Sequence, residues 1–309
     1  KGDMTLTGGQ GFFDIDLSAS GDATIVLGNG GHEIDAASGA IGNISITVGD
    51  SIDNDAGTEN TESNIDLSLA SGTNSITVGG EGWTISGGTG KDTITGGSGD
   101  DVIFAGQGGD VIDLSAGGAD DVTLDNDVNT VGVLGGGNTN ASAFSNYARV
   151  EGFTAGSDND VHDRIDLGNT NKADDSLTFH AIDGNDIDLG SSDNDDVFIH
   201  NGEASDLTSV SQILDLIGSV QITKTDAGDD NDNFYVVIND DGGDFFGLYE
   251  VTLSAAFQAA QIDATAANDI EGTDADGKAA AVGNTIELLG IIDGNVTSAN
   301  ATNYFEIVS

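Results

Sequence analysis

From Gly87 the chain repeats itself every nine residues. The segments GGTGKDTIT (87–95), GGSGDDVIF (96–104) and AGQGGDVID (105–113) share the form G-G-x-G-x-D-x-U-x, where U is large and apolar. Aspartate falls at Asp92, Asp101 and Asp110, and the apolar residue at Ile94, Ile103 and Ile112. A looser copy, SAGGADDVT (115–123), follows one extra residue, Leu114, and sets Asp120 and Val122 in the same places. Self-similarity at a fixed period marks units that bury an apolar face only by stacking on their neighbours. Six residues form a turn, where glycine permits positive φ or close backbone approach. Three form a short strand whose central side chain enters the stack. Two nonamers complete a coil, so residues eighteen apart lie above one another.

Eroded copies precede the array. GGQGFFDID (8–16) has Phe13 in the place of the Asp, and LGNGGHEID (27–35) has His32 there. Short β segments recur at 24–27, 44–48, 65–69, 75–78 and 84–86, and NISITVGD echoes TNSITVGG. Residues 1–130 therefore read as one β-solenoid, irregular over 1–86 and regular over 87–130. Past Asn129 the period is lost, and GVLGGGNTNAS (132–142) has the composition of a linker or loop. Residues 131–309 read as a β-rich cap. VEGFTAGSDNDVHDRIDLG (150–168) suggests strand, Asp-rich turn, strand. Ser209–Ile217 has the apolar spacing of a short amphipathic helix, with Val210, Ile213, Leu214 and Ile217 on one face. Residues 233–240 and 245–253 read as a hairpin around DGGD, and 284–292 and 304–308 as final strands. The expected fold is all-β: a parallel β-roll followed by a β-rich C-terminal domain with one or two short helices.

The charge balance narrows the partners. There are 54 acidic residues against 7 basic ones, a formal charge of −47. Self-repulsion on that scale opposes compaction unless counter-ions bind. No basic patch exists to neutralise phosphates, which excludes nucleic acid, and anionic lipid surfaces are disfavoured for the same reason. Divalent cations are the matching partner, although an acidic surface also suits a protein living in salt water. The chain has no cysteine and no proline. Without disulfides, an exported chain needs another staple, such as metal or assembly. No apolar run is long enough to span a membrane. The start, Lys1-Gly2-Asp3-Met4-Thr5, is neither an initiator Met nor a signal peptide and suggests a processed chain or the C-terminal part of a longer one.

Calcium takes 6–8 oxygen ligands from carboxylates and carbonyls, whereas magnesium prefers a tight octahedral shell and keeps its water. Gly-rich turns expose carbonyls, and an Asp closing each turn adds a carboxylate. Stacking would set Asp92 over Asp110 and Asp101 over Asp120. Like charges so placed would cost several kcal/mol unless a cation lies between them.

Residues 87–123 resemble the RTX nonapeptide array of bacterial proteins exported by type I secretion. The run EGFTAGSDNDVHDRIDL is similar to segments that follow such arrays, and the ending NYFEIVS to their uncleaved export signals. The Gly-, Ala- and Thr-rich, Cys-free character is most like the surface-layer members. The resemblance implies calcium held by turn carbonyls and the Asp of each repeat. One set is Gly88, Gly90 and Asp92 with Ala105, Gln107 and Asp110; another is Gly97, Gly99 and Asp101 with the loop Gly117–Asp120. It does not carry ligands to Phe13 or His32. Asp158, Asp160 and Asp163 form either a second type of calcium site or a solvated turn. The clusters at 226–232 and 193–196 read as solvated loops, and Asp274 and Asp276 lack the distal Glu of an EF-hand loop.

Neither HExxH nor GxSxG occurs, so no enzymatic activity is expected. His32, His162, His180 and His200 are scattered and read as surface or loop residues, and Trp83 as core packing. The expected function is a calcium-dependent extracellular structural protein, a subunit of a bacterial surface layer or matrix that folds and assembles after secretion. The implied partners are calcium, further copies of the chain and a cell-surface polysaccharide. Alternatives are the C-terminal calcium-binding and secretion module of a large adhesin, or the non-catalytic tail of a secreted hydrolase.

Overall fold

The computed structural model describes residues 3–18, 21–37, 42–50, 63–80, 82–124, 132–134, 144–156, 162–167, 177–182, 186–188, 196–217, 221–223, 233–252, 268–269 and 284–306. They divide into two compact units. The first comprises Lys1–Asp127 with Asn146–Asp166, and the second Val128–Ser145 with Leu167–Ser309.

The first unit is a β-roll of two parallel sheets that receive strands alternately from the chain. One sheet holds Met4–Thr7, Ala23–Val26, Ile44–Thr47, Ser75–Thr77, Thr93–Thr95, Val111–Asp113 and Ala148–Glu151. The other holds Phe13–Leu17, His32–Ala36, Asn64–Asp66, Thr84–Gly88, Val102–Gly106, Asp121–Thr123 and Arg164–Asp166. Side chains alternate across each strand, as in Ala23–Val26, where Ala23 and Ile25 are buried and Thr24 and Val26 exposed.

Registration puts the apolar position of every repeat in one column per sheet. Ile25, Ile46, Ile76, Ile94, Ile112 and Val150 align in the first sheet. In the second, Ile34, Ile65, Ile85, Ile103, Val122 and Ile165 align. All are buried. A one-residue slip would turn these columns to solvent, so the Ile ladder fixes the register. Glycine is required where turns stack: Gly108 has φ of +137°, and a Cβ there would run into the Gly90 carbonyl.

The expected start of the cap at residue 131 differs from the observed units. Residues 1–86 and the array share both sheets, and 146–166, assigned from sequence to the cap, lie with the array. Val150 and Ile165 occupy the apolar place and Asp163 the Asp place, so this segment supplies further rungs despite lacking the Gly-rich turn.

The second unit is a mixed sheet. Thr178–Ile182, Asp196–Ala204 and Asn233–Asp240 run parallel, and Asn233–Asp240 forms the expected hairpin with Phe245–Thr252. Asn284–Asp293 continues the sheet antiparallel, with Gly132–Leu134 paired to it. The expected helix forms over Val210–Ile217, burying Val210, Ile213 and Ile217. Phe246 packs edge-on against Tyr304 and Phe305, and the Asn239 side chain pins Val296 through both its N–H and its carbonyl. Among the described residues no helix is long and apolar enough to cross a membrane.

Candidate metal centre

The residue two before each apolar Ile also points inward, and it decides the chemistry of the roll. In the first sheet this column passes from Met4, Ala23 and Ile44 to Asn74, Asp92 and Asp110, and closes on Ala148. In the second it passes from Phe13, His32, Ser63 and Trp83 to Asp101, Asp120 and Asp163. Each column is thus largely apolar or aromatic in the early coils and acidic in the late ones. The expected stacking of Asp92 with Asp110 and of Asp101 with Asp120 is present.

The early end of the second column explains the loss of carboxylates there. The rings of Phe13 and His32 lie 5.4 Å apart and those of His32 and Trp83 6.1 Å apart, both pairs tilted. His32 is fully buried, against the expectation of a surface or loop residue, because the place it occupies faces the core. Its Nε2 contacts the Gly28 carbonyl at 2.9 Å. Trp83 packs in the core as expected.

In the late coils each carboxylate accepts the backbone N–H of the rung before it. Asn74 N–H donates to Asp92 Oδ1 at 2.7 Å, and Asp92 N–H to Asp110 Oδ1 at 2.7 Å. On the other flank, Trp83 N–H donates to Asp101 Oδ1, Asp101 N–H to Asp120 Oδ1, and Asp120 N–H to Asp163 Oδ1, at 2.8, 2.8 and 3.1 Å. Asn74, which the sequence reading missed, begins the first ladder by accepting the Ile44 N–H at 3.2 Å. Its signal was in the chain, since Asn74 stands two residues before Ile76 in NSITVGG.

Among the described residues two carboxylate oxygens have no partner although they are buried: Oδ2 of Asp92 and Oδ2 of Asp120, one on each flank of the roll. Burial pushes the Asp92 carboxyl up from 3.8 to about 7, against hydrogen bonds from Asn74. Burial likewise raises Asp101 to about 6, opposed by the N–H groups of Gly97 and Trp83. Asp120 rises to about 8, first through burial and then, against the Asp101 N–H, through the charges of Asp101, Asp163 and Asp100. Asp163 is raised by burial, partly offset by the N–H groups of Thr154 and Asp120. The expected source of electrostatic cost, repulsion between stacked aspartates, is therefore secondary to lost hydration.

A cation with oxygen ligands fits these residues. A Cβ on Gly87 would collide with the Ala105 carbonyl oxygen and lie 3.0 Å from Asp92 Oδ2, so two oxygens face the space that glycine leaves free. The Gly88 carbonyl accepts the Gln107 N–H at 2.8 Å, tying turn 87–92 to turn 105–110. Among the described residues no three His, Asp or Glu side chains converge as a metal cluster, so backbone carbonyls would complete any shell.

The second predicted set is arranged differently. Asp101 Oδ2 already accepts the Gly97 N–H at 2.8 Å, and the oxygen left over belongs to Asp120. Gly99 and Gly118 are in close contact across the stack, whereas Gly117, with φ of +84°, borders open space. Asp163 accepts the Thr154 N–H on Oδ2 at 2.6 Å and closes a rung of the roll. Asp158 and Asp160 lie outside the described residues, as do the acidic stretches 226–232, 193–195 and 274–276.

Residues 78–112 match the family model of the RTX calcium-binding nonapeptide repeat (4 copies). No curated protein and no solved structure matches the chain. The match starts one nonamer before the array read from the sequence, taking in VGGEGWTIS with Trp83 in the Asp place, and stops short of 115–123. The chain thus carries RTX calcium-binding nonapeptide repeats, and Asp92, Asp101 and Asp110 of the matched segment are among the buried carboxylates of the late coils.

Proposed function

We propose that the chain is a non-enzymatic, calcium-dependent extracellular structural protein, a subunit of a bacterial surface layer or matrix that folds and assembles after secretion. The observation that carries this reading is the pair of buried, unpartnered oxygens on Asp92 and Asp120. A fold that strips water from carboxylates and leaves oxygens unmatched loses stability at neutral pH unless a cation lies beside them. Calcium supplies that charge and accepts the carbonyl oxygens around it.

The ligand set is Asp92 with the turn carbonyls of Gly88, Gly90, Ala105 and Gln107 and the Asp110 carboxylate. On the other flank it is Asp101, Asp120 and Asp163 with the carbonyls of Gly97, Gly99 and Gly117. Where calcium is scarce these carboxylates weaken the fold, which suits passage through a secretion channel. Where it is plentiful, ligand binding confined to the folded state adds about 2.7 kcal/mol per site at a hundredfold excess over Kd. The acidic exterior gives further cations a means of joining copies, and a cell-surface polysaccharide is a second partner of this reading.

Calcium titration of the chelated, purified chain tests it, followed by circular dichroism, light scattering and electron microscopy. Gain of β signal followed by ordered assemblies is expected. Folding on calcium with monomers at every concentration would remove the assembly role and leave a binding module.

A further inference from the structure

We infer that the outer face of the first sheet of the roll is an ice-binding surface, one whose hydroxyl array takes an ordered layer of crystalline water as its ligand. The outward positions of its first five strands read T-x-T, T-x-V, S-x-T, S-x-T and T-x-T, from Thr5 to Thr95. Nine of these ten side chains carry a hydroxyl. They are exposed or half-buried, and the strands pair in register, so they form two straight columns. Neighbouring rungs lie about 4.8 Å apart and alternate residues about 6.7 Å apart along a strand, which makes a rectangular lattice. Oxygen positions on the prism faces of hexagonal ice repeat at closely similar intervals.

The composition of this face is not explained by strand preference. Threonine suits exposed strand positions in general, and the second sheet presents the same positions to solvent in the same coils. In the first three coils the chain places Asp14, Asp16, Glu33, Asp35, Asn64 and Asp66 there, and in the next two Thr84, Ser86, Val102 and Phe104. A chain of charge −47 therefore keeps one sheet face free of charge across five rungs, while the other carries carboxylates in the first three of them. The partner of the first face is accordingly uncharged. It is also periodic, because the face it meets repeats from rung to rung. An aromatic platform of the kind that holds sugar rings is absent from these ten positions. The β-branched threonines are stiff at χ1, so hydroxyl and methyl groups keep fixed positions and order water at little entropic cost. The array ends where Val111 and Asp113 replace the hydroxyl pair.

The test uses the full chain in calcium, with growth of single ice crystals near the melting point as the readout and circular dichroism as the check on folding. The wild type is expected to hold ice crystals without growth over a measurable gap below melting, to facet them, and to adsorb to ice when fluorescently labelled. Thr47→Lys with Thr77→Lys, at the middle of the face, should abolish the gap. Thr84→Lys, at an equivalent exposed position on the second sheet, should leave it unchanged. Thr47→Val with Thr77→Val keeps shape and fold and should narrow the gap, which covers the case in which the lysine variant does not fold. Folded wild type that leaves ice growth unaltered overturns the inference, as does equal loss in Thr84→Lys. Binding to insoluble chitin or cellulose without any effect on ice would assign the face to a glycan and likewise overturn it.

Discussion

Replacing Asp120 by asparagine separates the two roles that its carboxylate combines. In the folded chain Asp120 Oδ1 accepts the Asp101 N–H at 2.8 Å, Oδ2 has no partner, and burial lifts the carboxyl from 3.8 to about 8. At about pH 7 without calcium the unfolded chain ionises this group and the fold holds it protonated. The interval of about three pH units, at about 1.4 kcal/mol each, costs the calcium-free fold about 4 kcal/mol. Asparagine keeps the acceptor for Asp101 and removes the ionisation, but leaves a buried amide N–H group unpaired, which costs about 1–3 kcal/mol. The calcium-free Asp120→Asn protein should therefore gain about 1–3 kcal/mol, and its Tm should rise by roughly 2–12 °C. With calcium the order reverses, because asparagine brings no charge to the cation. Thermal melts by circular dichroism, in EGTA and in calcium, read both effects. A lower Tm than wild type in EGTA would refute the reasoning, since it would mean that the buried carboxylate stabilises the roll without metal.

Two further outcomes follow from the same geometry. The pKa values of Asp92, Asp101 and Asp120 are raised from 3.8 to about 7, 6 and 8, so the stability they permit is full below about pH 4 and is lost as pH climbs to about 8. Urea midpoints in EGTA should fall across that window while calcium affinity rises, because protons compete for the same oxygens; midpoints rising with pH in EGTA would contradict it. Gly87→Ala sets a methyl against the Ala105 carbonyl and Asp92 Oδ2 and should weaken calcium uptake, whereas Gly9→Ala meets nothing within 4 Å and should match wild type by calorimetric titration.

The nonamer spacing alone determined the parallel stack, the inward Ile columns and the alignment of Asp92 with Asp110 and of Asp101 with Asp120. Each of those depends on a local period, and a local period is written in the chain. Helix Val210–Ile217 and the hairpin at 233–252 were legible for the same reason. Tertiary structure decided the rest. Asn74 and Asp163 join the aspartate columns from outside the array, and Asp163 does so 43 residues after Asp120. No spacing rule reaches across such an insertion. His32 read as a loop residue until the stack turned it inward between Phe13 and Trp83. Which oxygens are left without a partner is also a tertiary fact: every repeat carries the same Asp, and only the N–H groups that packing brings to it distinguish Asp101, satisfied on both oxygens, from Asp92 and Asp120. Residue type sets what a side chain can offer, and the neighbours assembled by folding set what is already taken.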